Sequence, residues 1–255
     1  NTAVSVKVEG YQTTRGDRAA RAVLHSGAIS GVTLWWHSYG NLTHFICLEA
    51  NGNSLTGVSG FQMGYSQSEF IKCRAINCAG TSQCGFSTIG TAISCSTDNC
   101  YYGFNGTDAC YECYCSSSLN NAFNLVPILS NCISKGAGND GFNIVAGAAP
   151  ARHCVADGSA RYGFNVPISG SVFECVGVNH TAVGSRGFSM AANSVVDHCA
   201  GYNNTTNYAG ASSYYLLDSF ISLTAAPFQD ASAGDYRLNT TAGGGADLKG
   251  AGWGV

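Results

Sequence analysis

Cys132-Ile-Ser-Lys-Gly136-Ala-Gly-Asn-Asp-Gly141-Phe142-Asn143 is followed, 22 residues on, by Cys154-Val-Ala-Asp-Gly158-Ser-Ala-Arg-Tyr-Gly163-Phe164-Asn165. Three markers recur in the same order: a cysteine, an Asn or Gly four residues later, and a small residue followed by Phe. Outward from this pair the cysteine column reads 47, 73, 95, 113, 132, 154, 175 and 199, spaced by 18 to 26 residues. The small-residue–Phe column reads Gly60-Phe61, Gly85-Phe86, Gly103-Phe104, Ala122-Phe123, Gly141-Phe142, Gly163-Phe164 and Gly187-Phe188. Between them stand Asn51, Asn77, Asn99, Ser117, Gly136, Gly158, Asn179 and Asn203. Asn and Gly enter the left-handed backbone region at low cost, so each repeat is expected to turn sharply there. The segments around the cysteines, such as Ser171-Val-Phe-Glu-Cys-Val, read as short strands.

A fixed period of about 22 residues with strand, turn, strand and loop predicts a solenoid, in which equivalent residues stack about 4.8 Å apart. The expected architecture is all-β, a right-handed parallel β-helix of about nine to ten coils. Residues 1–40 form N-terminal strands and a cap, 41–225 the coils, and 226–255 a closing segment and Gly-rich tail, one domain overall. Cys and Phe fill a narrow interior, where thiols act as small hydrophobes. Length variation is expected mostly between the turn and the Gly-Phe.

Composition excludes several roles. Twelve Lys+Arg against fifteen Asp+Glu give a net charge of −3, no footprint for nucleic acid. With 45% hydrophobic residues and little net charge the chain is ordered, and no apolar run has the length of a membrane span. Thirteen cysteines, an odd number, leave at least one thiol free. Cys110, Cys113 and Cys115 do not have the spacing of a zinc site. They are read as interior thiols, with one or two disulfides between the loops of Cys78, Cys84 and Cys100. No metal and no cofactor is expected. The chain opens at Asn1 without Met or a signal-peptide pattern, as a processed, trimmed or partial chain does.

The Cys, Asn and Gly-Phe-Asn columns resemble those of right-handed parallel β-helix proteins of the pectate-lyase-like superfamily. Ala226-Pro-Phe-Gln-Asp-Ala-Ser-Ala-Gly-Asp-Tyr-Arg-Leu238 is similar to the segment that closes their last coil. Val6-Lys-Val-Glu-Gly-Tyr-Gln-Thr-Thr-Arg-Gly-Asp17 is similar to the opening of β-helix proteins from environmental bacteria and their phages. The resemblance implies fold more than function, because that superfamily holds polysaccharide lyases and hydrolases beside adhesins, tailspikes and structural proteins.

The residue before each cysteine is expected to face outward, by strand alternation. That column ends in His153, Glu174 and His198, with Arg152, Asp197 and Asp218 beside them. Two imidazoles around a carboxylate are candidates for holding a divalent metal or for acid–base chemistry on a sugar, or are simply a solvated stripe. Trp35, Trp36, Tyr101 and Tyr102 are candidates for stacking on a sugar or a protein partner. No clustered acid pair suggests calcium, and a glycosidase's carboxylate pair is too weak a requirement to discriminate.

The reading is a non-catalytic structural or interaction protein, extracellular, on a cell surface or in a virion: a phage decoration, fibre or tailspike-like module or a bacterial surface protein. Its expected partners are copies of itself, other particle or surface proteins, and polysaccharide. The alternative is a polysaccharide lyase or glycoside hydrolase working in an outer groove.

Overall fold

The computed structural model describes residues 6–9, 22–25, 33–37, 43–52, 59–63, 68–87, 89–210, 215–217 and 220–251. Thr43, Met63 and the strands at 6–9, 22–25, 33–37 and 215–217 are described in backbone alone. The chain is an all-β solenoid of stacked parallel sheets, as expected. The strands form three stacked parallel sheets of ten, ten and nine. No helix among the described residues is long and apolar enough to cross a membrane.

Each turn gives one short strand to each sheet. In one turn these are Ile128–Ser130 in the first sheet, Ile133–Lys135 in the second and Phe142–Ile144 in the third. Pairing is parallel and in register: Phe86, Phe104, Phe123, Phe142, Phe164 and Phe188 lie opposite one another in succession. Their rings stack face to face with centroids 4.8–5.0 Å apart, matching the spacing between parallel strands. All are fully buried. Burial of each ring contributes about 2–3 kcal/mol and each stacked pair about 1 kcal/mol more.

The glycine before every Phe of this stack but Phe123, which follows Ala122, is there for space. A Cβ on Gly103 would lie 2.4 Å from Cys115 Sγ, and one on Gly163 would lie 2.5 Å from His180 Nε2. The third sheet runs so close to the inner residues of the second that almost no side chain fits. Outside, the residue after Phe builds a ladder: Asn165 donates to Asn143, Asn143 to Asn124 and Asn124 to Asn105, at 2.7–3.0 Å. Stacking identical amides satisfies donor and acceptor along one line.

All thirteen cysteines are free and buried, so the expected loop disulfides are absent. Cys78 and Cys100 stack in the interior just past the second corner rather than projecting on loops, and Cys84 is buried in the third sheet. Seven cysteines, 73 to 199, form the expected interior column. Cys47 does not belong to it, because pairing puts Leu48 level with Cys73 and Cys47 level with Lys72. Asn51 is one position out for the same reason. Length also varies at two corners, around 78–83 and 180–185 and again around 145–150 and 191–194, not mostly at one.

The closing segment folds back on the second sheet. Phe228–Asp230 and Asp235–Leu238 pair antiparallel, followed by a short helix, Gly245–Gly250. Phe228, Tyr236, Leu238 and Leu248 cover Val155, Val176, Val178 and Ala200 on the outer face of that sheet. Lys135 Nζ donates to the carbonyls of Ala231 and Ser232 at 2.9 and 2.6 Å. Tyr236 Oη donates to Asp157 Oδ2 at 2.8 Å, and burial, with the Asp157 carboxylate next, pushes the tyrosine's pKa upward.

Candidate functional site at the first corner

His153, Glu174 and His198 occupy the corner between the first and second sheets. They are not strand residues, as alternation had suggested. Lys72, Ser94, Glu112, Asn131, His153, Glu174 and His198 all have φ between 47° and 54°, the left-handed region. The fold therefore makes two left-handed turns per coil, one here and one at the Asn/Gly column. A non-Gly residue pays for that conformation, on the order of 1 kcal/mol or more. The solenoid offsets it by continuing the ladder through the corner. His153 N–H bonds the Phe173 carbonyl at 3.2 Å and Glu174 N–H bonds the Asp197 carbonyl at 3.0 Å. Because backbone geometry makes the turn, the side chain is free to differ from coil to coil.

Stacking brings His153 and Glu174 into contact, His153 Nε2 against Glu174 Oε2, with side chains 41% and 39% exposed. At that exposure the pair contributes at most about 1 kcal/mol to stability. His198 instead turns to its own neighbour, Nδ1 to Asp197 Oδ1 at 2.8 Å. The three residues thus form two separate His–carboxylate pairs. Arg152, one residue before the corner, lies with its guanidinium 4.7 Å from the centre of the Phe173 ring. Asp218 lies outside the described residues.

The closing segment adds a wall that sequence reasoning missed. A shallow cleft, with room for little more than a water molecule, lies between the corner and the hairpin, lined by His153, Cys154, Val155, Glu174, Val176, Phe228 and Leu238. Val155 and Val176 alternate outward beside interior cysteines, a visible sign that the second sheet's outer face is covered. Nothing in the sequence said which segment covers it. The His153–Glu174 pair at the rim of an apolar cleft can hold a polar group by hydrogen bonds and exchange a proton with it.

Tyr101 and Tyr102 pack edge to face on each other with centroids 4.9 Å apart, and the Tyr102 hydroxyl accepts from Asn120 Nδ2 at 3.3 Å. They are half-buried. Trp35 and Trp36 lie in the strand Thr33–His37, level with Phe61 and Gln62; their side chains lie outside the described residues. Cys110, Cys113 and Cys115 face the interior in three different columns. Burial pushes Cys110 up to about 11 and Cys115 up to about 12, so both stay thiols. No group of three or more metal-ligating side chains occurs among the described residues. Comparison with protein-family models, curated proteins and solved structures gives no match.

Proposed function

We propose that the chain is a non-catalytic structural and interaction module, an extracellular β-helix of a virion or cell surface. The observation that carries this reading is the first corner. There the same position is filled by Lys, Ser, Glu, Asn and His in turn, and its His and carboxylate groups are tied to each other or to a neighbour. Such a column fits a rigid scaffold whose outer chemistry is free to vary. The outer side of the first sheet supports it: Ile71, Ile93 and Tyr111 lie in one register, with Ile128 alongside, and Tyr111 and Ile128 are each 38% exposed. A flat apolar strip on a stiff frame suits contact with another protein surface. A place in the pectate-lyase-like superfamily, and a phage or bacterial-surface setting, are part of the same proposal and rest on the Cys, Asn and Gly-Phe-Asn columns and the closing segment. Sedimentation with particles or surface fractions of the source tests it. The protein is expected to travel with them, and a monodisperse monomer that stays behind counts against it.

The second reading, a polysaccharide lyase or hydrolase, is favoured by one observation, the His153–Glu174 contact at the rim of the cleft. Release of sugar products by the wild-type protein, abolished in Glu174→Gln, would establish it.

A further inference from the structure

We propose that Arg161, Tyr162 and Arg186 form a binding site for a sulfate or phosphate group, free or esterified to a saccharide. The site lies where the chain enters the third sheet, away from the His153–Glu174 corner, and does not depend on the function proposed above.

Three successive turns build it. Tyr162 and Arg186 are paired across adjacent strands, and the Arg186 N–H bonds the Arg161 carbonyl at 3.0 Å. One turn earlier stands Asp140, whose side chain is fully buried. Asp140 grips Arg161 with both oxygens, Nε to Oδ1 at 2.7 Å and Nη2 to Oδ2 at 2.5 Å. That bidentate bond raises the pKa of Arg161 and fixes its plane. The fixed guanidinium lies 4.7 Å from the centre of the Tyr162 ring, and that of Arg186 lies 5.6 Å from the same ring. Two planar cations are thus held against one aromatic anchor.

Their charges are not balanced. Asp140 neutralises Arg161, using its Nε and Nη2 edge and leaving Nη1 open. The half-buried Arg186 side chain meets only the Tyr162 ring among the described residues. The loop leading to it, His180-Thr-Ala-Val-Gly-Ser-Arg186, contains no acid. Elsewhere Arg74 faces Glu49 and Arg237 faces Asp235. The Arg186 fork, with its donors open on the Tyr162 ring, has the geometry that recognises a tetrahedral oxyanion through two oxygens, and Arg161, held against the same ring, keeps Nη1 open as a further donor.

The test follows the Arg Nε–H resonances of the full chain while sodium sulfate is titrated against sodium chloride at constant ionic strength. Sulfate is expected to shift Arg161 and Arg186 along a saturating curve. Arg186→Gln is expected to weaken binding at least about tenfold, with thermal unfolding unchanged, while Arg186→Lys, which keeps charge without the fork, weakens it less. Equal shifts in chloride, a curve that never saturates, or full affinity in a folded Arg186→Gln would overturn the proposal. A monosaccharide sulfate ester and its unsulfated parent identify the source. Tighter binding of the ester than of inorganic sulfate supports a saccharide-borne group, equal binding supports the free ion, and binding of the parent as tightly as the ester overturns the site.

Discussion

Replacing Phe123 with Ala removes a ring from the middle of the interior stack. Phe123 is fully buried, with Phe104 5.0 Å away on one side and Phe142 4.8 Å away on the other. Burial loss and the cavity together are expected to cost about 3–5 kcal/mol, and the two stacked contacts place Phe123→Ala toward the upper end. Phe123→Leu keeps most of the volume and loses the stacking, so about 1–1.5 kcal/mol is expected. Urea unfolding followed by far-UV circular dichroism reads both, provided the slope is unchanged. A double-mutant cycle sharpens the test. Phe123 and Phe142 should couple by about 0.5–1.5 kcal/mol, whereas Phe104 and Phe188, which do not touch, should add within about 0.5 kcal/mol. A loss for Phe123→Ala no larger than that of Val183→Ala on the exposed loop, or equal coupling for both pairs, would refute the stacked interior.

Further outcomes are expected at the thiols, at His180, at Tyr236 and at two glycines. Thiol titration should find thirteen reactive groups in denaturant without reductant and almost none in the native state; a lower denatured count would mean disulfides. Stability should fall as pH drops below the unfolded histidine value of about 6.5. His180 is buried, its Nδ1 accepts the Ser159 N–H at 3.0 Å, and burial depresses its pKa. The unfolded chain therefore takes up the proton first, with a slope of at most about 1.4 kcal/mol per pH unit; urea midpoints measured from pH 7.5 to 5 should lose that part of the slope in His180→Asn. Tyr236→Phe leaves Asp157 without its hydroxyl donor and should cost about 1.5–3 kcal/mol, with faster hydrogen exchange at 228–238 and none at the Phe stack. Gly163→Ala, whose Cβ would lie 2.5 Å from His180 Nε2 and 2.6 Å from the Gly187 carbonyl oxygen, should destabilise severely. Gly136→Asn at φ +65°, where a Cβ meets nothing, should change the urea midpoint by less than about 1 kcal/mol.

The solenoid was legible because it repeats: one interior column of Cys, one of Phe and one of Asn or Gly are each a statement about the same place in every coil. What does not repeat was hidden. The first corner uses Lys72, Glu112 and His153 in the left-handed region, and nothing in those residue types signals it, so strand alternation was the natural and mistaken assumption. Cys47 fell into the wrong column because cysteine there stands level with Lys72, a register slip that only pairing reveals. His153 and Glu174 were read as neighbours from spacing alone, and the stack does join them. That His198 turns to Asp197 depends on side-chain torsions, and that Phe228 and Leu238 wall the cleft depends on a tail packing across many coils; neither leaves a local pattern.

Sedimentation of the protein with particles or surface fractions of its source tests the proposed role most directly. The account predicts that the wild-type chain travels with the particle and that Tyr111→Lys combined with Ile128→Lys, still folded, stays behind. A wild-type chain that remains a free monomer while releasing sugar products, and a Glu174→Gln variant that releases none, would contradict it.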